Sequence, residues 1–173
     1  MSIFEPTTEI IRKGKASKPT EFGKMVKIQE GENQIITDYD VYEKRPSDSA
    51  LVIPALDAHE KTLGCTPRLV AGDAAFYSAN NEATAHERGV KRVCIPNRST
   101  KSAERKREQN KRWFKEGQKW RTGCEGRISV LKRRHGLRRC IYRGDTGMKR
   151  WVGLGVIADN LHHIGTAIAN RKN

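Results

Sequence analysis

The sequence predicts a mixed α/β protein, and two patterns carry that prediction. Two segments rich in β-branched and aromatic residues flank a Gly31-Glu32-Asn33 turn, which is the mark of a hairpin. Beyond them, short apolar runs alternate with stretches of helical apolar period, the order expected of strands and helices around one mixed sheet. A chain of 173 residues fits one domain with room for a core.

The elements follow in order. Met1 to Thr20 holds two prolines, several small residues and no sustained period. Residues 1–20 are therefore expected to be an irregular lead-in and 21–173 the folded domain. Lys24–Glu30 and Gln34–Tyr42 are the hairpin strands. Pro46 and Ser47 open a helix marked by Leu51, Ile53, Leu56, His59 and Leu63, and Gly64 closes it. Arg68–Ala71 is a short strand that runs straight into Gly72-Asp73. Ser78 caps a helix through Arg88, and Gly89 ends it. Val90–Pro96 is the next strand, and Asn97–Asn110 a cationic connection, helical in part. A helix from Trp113 to about His135 carries Trp113, Trp120, Cys124, Ile128 and Leu131 at three- and four-residue steps. Met148–Ala169 is the last helix, with Trp151, Leu154, Ile157, Leu161, Ile164 and Ile168 on one side. The three tryptophans are expected in the core.

Composition narrows the class. There is no apolar run of the ~18 residues that a membrane span needs. Cys65, Cys94, Cys124 and Cys140 are scattered without a CxxC pair, which argues against a zinc finger and for reduced thiols in the cytoplasm. The net charge of +14 is unevenly spread: residues 1–90 hold 11 Lys/Arg against 14 Asp/Glu, residues 91–150 hold 21 against 5. Such a block suits a polyanion, nucleic acid being the commonest; a solvated basic face is the plain alternative.

Within the basic block one acid stands out. Arg121, Glu125 and Lys132 share a helix face at about 100° per residue, and Arg127, Arg133 and Arg134 add further cations for a DNA backbone. A second acid, Asp73, follows a strand, where open α/β sheets place ligands. Two such carboxylates suit a hard divalent cation such as Mg²⁺. The plain readings are a turn residue for Asp73 and a surface partner of Arg121 for Glu125. His162 and His163 are adjacent and point apart, so they read as packing or surface residues. Lys101–Arg112 is either a phosphate contact or a mobile basic loop.

The chain resembles the C-terminal part of DDE transposases of bacterial insertion sequences. The resemblance rests on Gly72-Asp73, Tyr77-Ser78, Asn81, Gly89-Val90, Ile95-Pro96, the R-x3-E-x6-K spacing of Arg121, Glu125 and Lys132, and the closing NLHHI. Gln118 stands where the family pattern begins with Tyr. The resemblance implies an RNase H-like mixed sheet flanked by helices. It implies that Asp73 and Glu125 are the second and third catalytic acids and ligate Mg²⁺ or Mn²⁺, with Arg121 and Lys132 on DNA. The implied function is metal-dependent DNA cleavage and strand transfer on double-stranded transposon ends and target, by dimers, in the bacterial cytoplasm with the nucleoid. The family's first Asp belongs to a strand ahead of the hairpin. Asp38, Asp40 and Asp48 come too late for it, so the first strand is expected to lie beyond Met1 in a truncated chain with weakened catalysis. The alternatives are a non-catalytic DNA-binding remnant and an RNA-binding, ribosome-associated protein.

Overall fold

The computed structural model describes residues 9–12 and 20–171. The chain divides into two compact units, one drawn from 1–46 and 131–173 and the other from 47–130.

In the first unit, β1 (Glu9–Arg12) pairs antiparallel with β2 (Thr20–Gly23), and β3 (Met25–Glu30) pairs antiparallel with β4 (Ile36–Tyr42). The second pair is the expected hairpin, with Met25 opposite Tyr42. Its turn takes Asn33 and Gln34 through left-handed backbone at φ 58° and 63°, a region asparagine tolerates better than most residues. Strand β1 departs from the irregular lead-in expected of residues 1–20; its adjacent isoleucines are β-branched, which favours extended backbone. Thr20 opens β2, and residues 1–8 and 13–19 of that lead-in lie outside the described residues.

The helix α5 (Gly144–Asn170) packs on β4. Ile36, Val41, Leu131, Val152 and Val156 form the buried core here, with Tyr39, Leu137 and Met148 against it. The expected apolar side of this helix is not the buried one. Leu154, Ile157, Leu161, Ile164 and Ile168 are exposed, Leu161 by 63%. The buried line is Val152, Gly153, Gly155, Val156 and Asp159. Two glycines explain the choice. A Cβ on Gly155 would lie 2.9 Å from Leu137 Cδ2, and one on Gly153 would collide with the Tyr39 hydroxyl. Close approach needs the small residues, so they face inward and the branched ones face out. Asn160 then locks helix to strand: its Oδ1 accepts from Ile36 N at 2.8 Å and its Nδ2 donates to Ile36 O at 2.9 Å. This is the asparagine of the NLHHI motif. Nearby, His135 and His163 both point Nε2 at the buried Asp159, at 3.3 and 3.8 Å. His163 is thus a packing residue, as the sequence suggested.

The second unit holds α1 (Val52–Leu63), β5 (Leu69–Ala71), α2 (Ala79–Glu87), β6 (Arg92–Cys94), α3 (Ala103–Asn110) and most of α4 (Arg112–Arg134). A 3₁₀ turn at Asp48–Leu51 leads into α1, and Gly64 ends it at φ 69°, a conformation glycine adopts without strain. β5 and β6 are parallel, Leu69 opposite Arg92 and Ala71 opposite Cys94, so a crossover is required and α2 supplies it. Ser78 caps that helix by accepting from Asn81 N at 3.0 Å. Val52, Leu56, Ala85, Val90, Val93 and Ile95 close the core. Full burial of side chains like Leu56 and Ile95 contributes about 1.5–3 kcal/mol each.

The mixed α/β class is therefore observed, but not as one sheet. The described strands form three two-stranded sheets. β5 and β6 have three residues each, and each pairs with a single neighbour. All four cysteines are free. Among the described residues no helix is long and apolar enough to cross a membrane.

Candidate active site

The site is built where the parallel pair ends. Gly72 N still donates to Cys94 O, at 3.3 Å, so the ladder runs one residue past β5. A side chain at Gly72 would press on Phe76 and Ile95 within 3.4 Å. The next residue, Asp73, leaves the sheet. Its Oδ1 accepts from Ala75 N at 2.7 Å and caps the short 3₁₀ turn Ala74–Phe76. Its Oδ2 is turned toward Arg121, 3.8 Å from Nη2. Asp73 thus serves as a turn residue with one oxygen and leaves the other available to a cation.

The loop beneath Asp73 is held from behind. Buried Asn81 donates its Nδ2 to Phe76 O at 3.2 Å and to Ser49 O at 2.7 Å. Arg105 is ion-paired to Glu82, donates to Ile95 O at 3.1 Å, and lies over the Tyr77 and Phe114 rings at 5.5 and 5.9 Å. A guanidinium this enclosed is a structural strut. It divides the Lys101–Arg112 segment: α3 is ordered helix from Ala103, and Arg105 is committed to the protein.

Helix α4 brings the second acid. Phe114 is buried, and Cys94 Sγ donates to its carbonyl at 3.0 Å. One turn on, a Cβ at Gly117 would fall 2.6 Å from Cys94 Sγ, so only glycine allows the helix this close to β6. Gln118 then closes the join: its Nε2 donates to Gly72 O at 3.0 Å and to Cys94 O at 2.6 Å. One side-chain amide so bridges the carbonyl just past β5 and the last carbonyl of β6. Its place in the sequence had marked it only as a departure from the family's Tyr. The signal that reveals it is the Gly-Gln pair itself: a residue without a side chain, then one able to donate twice.

One turn beyond Gln118, Arg121 Nη2 is ion-paired to Glu125 Oε1 and faces Asp73. The two carboxylates predicted from the sequence are therefore brought onto one guanidinium nitrogen. Arg121 is 24% exposed and Glu125 58%, so the cluster opens to solvent. Burial pushes the Cys94 thiol up from its ordinary value, against the lowering effects of the Gln118 hydrogen bond and of Arg105.

The expected packing face of α4 is partly displaced. Trp120 is 38% exposed and Ile128 is exposed too. The helix rests instead on Phe114, Gly117 and Gln118, because the glycine permits the closest approach. Trp113 stays half-buried, edge-on to Phe114, with Arg92 over its face. Of the other predicted DNA-binding residues, Arg127 is half-buried on α4, while Lys132, Arg133 and Arg134 are exposed on its last turn. That last turn belongs to the first unit.

The donor set suits a hard cation. Two carboxylates converge, the Arg121 guanidinium stands in for a cation between them, and Mg²⁺ is commonly held by one or two carboxylates with waters and phosphate oxygens. Among the described residues no group of three His, Cys, Asp or Glu converges to hold a metal. Residues 79–164 match the model of the family described as transposase DDE domain; the matched stretch includes Arg121, Glu125 and Lys132 and starts beyond Asp73. No curated protein and no solved structure matches the chain.

Proposed function

From the premise that residues 79–164 are a transposase DDE domain, we propose that the chain acts on double-stranded DNA in transposition, with Asp73 and Glu125 as its acids. The observation that supports this most is the convergence of both carboxylates on Arg121 Nη2. The reading includes an RNase H-like arrangement, supported by the parallel β5–β6 pair, the α2 crossover and an acid directly after β5. It extends to residues 21–173 as the catalytic domain, and to dimers acting on paired ends.

Each residue has a physical task. Asp73 and Glu125 would hold Mg²⁺ or Mn²⁺ through hard carboxylate oxygens. When bound, that ion supplies charge neutralisation at the phosphodiester and acidity at the attacking oxygen. Arg121 keeps two like charges together before DNA arrives; a backbone phosphate then offers its guanidinium a bidentate anion. Gln118 fixes the helix register that makes this meeting possible. Lys132, Arg127, Arg133 and Arg134 contribute charge to the DNA backbone, so duplex binding falls steeply with salt.

The test is Mg²⁺-dependent nicking of supercoiled DNA by the chain. Asp73→Asn or Glu125→Gln is expected to lower it at least about 100-fold, in line with loss of a principal electrostatic group, while duplex affinity in EDTA changes little. Nicking that survives both substitutions sinks the assignment. A second reading, a DNA-binding chain without cleavage, is favoured by the convergence of only two carboxylates among the described residues. It is recognised by salt-dependent duplex binding with no metal-dependent nicking in any variant.

A further inference from the structure

The first unit carries an open hollow of about 780 Å³, apart from the acids. Tyr39 lies against Gly153 on its floor, and Ile141, Tyr142, Leu154 and Ile157 line it. The last four are exposed, Ile157 by 57%. Solvent-facing apolar surface clustered in a concavity is the usual mark of a binding site.

The charge around it narrows the occupant. Arg143 and Arg150 line the hollow, and no acid does. The acids on neighbouring positions are taken by lysines: Asp145 pairs with Lys24 and Asp40 lies 3.8 Å from Lys149. Neither arginine makes an ion pair among the described residues, so both guanidinium groups are available to an anion. Two tyrosine rings with two uncommitted arginines on an apolar floor suit a ligand with a flat π face and a phosphate. An apolar protein surface would fit the aliphatic residues but leave both cations uncompensated.

We infer that this hollow binds unpaired nucleotides of single-stranded DNA, with a base against Tyr142 and Tyr39 and its phosphates on Arg143 and Arg150. Stacking on aromatic rings is tolerant of sequence and needs a base that is free of its partner strand, which a paired duplex does not offer. Trp151 supports the ring, edge-on to Tyr142 at 5.4 Å and anchored by Nε1 to Gly136 O at 3.1 Å. The site extends the DNA reading above, since a reaction that breaks strands exposes unpaired ends.

The experiment is fluorescence anisotropy of the full chain in EDTA with a labelled oligo-dT and with a duplex of equal length. Tyr142→Ala is expected to weaken oligo-dT binding about tenfold and duplex binding less than twofold; Tyr142→Trp keeps both. Arg150→Gln is expected to weaken oligo-dT binding and lower its salt slope by about one. Equal affinity of wild type and Tyr142→Ala for oligo-dT overturns the proposal. So does a light-scattering shift from dimer to monomer in Ile157→Ser with oligo-dT binding unchanged, which makes the hollow a protein interface. Because no metal is present, these outcomes are independent of nicking: loss of the Tyr142 effect removes the hollow alone, and nicking that survives Asp73→Asn removes the acids alone.

Discussion

The two long helices, α4 and α5, meet their strands by the same device and put it to different uses. Each approaches through glycine, Gly117 against Cys94 in one unit and Gly153 with Gly155 against Tyr39 and Leu137 in the other. Each then fixes its register with a side-chain amide that pairs with strand backbone, Gln118 on α4 and Asn160 on α5. Close to that amide the helices diverge. α4 presents Arg121 and Glu125 to solvent beside Asp73, whereas α5 buries Asp159 between His135 and His163. A charge kept half in water stays exchangeable with a ligand, while a charge enclosed by partners is structural. The contrast teaches that in these helices the glycines set which face is buried, and large apolar residues off that face, such as Trp120 and Leu161, stay outside.

The sharpest way to break that statement is to truncate large side chains on either face. Phe114→Ala removes a fully buried ring and is expected to cost about 3–5 kcal/mol. Trp120→Ala, on the same helix but more than a third exposed, should cost well under half as much. On α5, Leu161→Ala should fall within about 0.5 kcal/mol of wild type, as surface substitutions do. Urea midpoints measure all three. If Trp120 or Leu161 proves as costly as Phe114, the faces have been assigned the wrong way round.

Glycine substitutions give a smaller effect and opposite signs within one helix. Alanine favours helix over glycine by about 1 kcal/mol. At Gly123 and Gly126 nothing lies within 4 Å of an added Cβ, so each change to alanine should stabilise by roughly that amount. At Gly117 the new methyl meets a fully buried Cys94 that has nowhere to move. Overpacking of about 1–3 kcal/mol outweighs the gain, for a net loss of about 1 kcal/mol. Thermal denaturation that moves all three variants in one direction would show that the approach to Cys94 is not tight.

These contrasts explain what was legible beforehand. Turn and cap chemistry is local, so Gly64, Ser78 and Gly89 marked their element ends correctly, as did the hairpin around Asn33. The class followed from alternation of strand and helix signals. Helix faces were misjudged because large apolar residues were counted and glycines were not: Trp120 and Ile128 stand out on α4, as Leu154 to Ile168 do on α5, and both sets proved exposed. Asp73 and Glu125 were found as lone acids at a strand end and in a basic helix, and the structure brings both to Arg121. Gln118 and Arg105 were not, because their value lies in backbone carbonyls and rings distant in sequence. One continuous sheet was expected from element order alone, and order does not specify which strand ends pair.

The least disruptive probe of the α4 contact is pH. Cys94 is the residue on which Gly117 rests, and burial raises its pKa above the ordinary value of 9.0. A raised value means the folded state binds the proton more tightly than the unfolded chain. The associated stability is then complete below the ordinary value and is lost as pH rises through the raised one. Tyr42, in the other unit, is also raised by burial, from 10.0, and acts with the same sign one unit higher. Wild type should therefore start to lose stability above about pH 9, and Cys94→Ala should remove the loss that sets in there while leaving the loss from Tyr42 that sets in above about pH 10. Urea midpoints across pH 7–11 test this. A profile unaltered by Cys94→Ala would mean that the thiol reaches water, and with it that helix α4 does not press on β6 as closely as Gly117 permits.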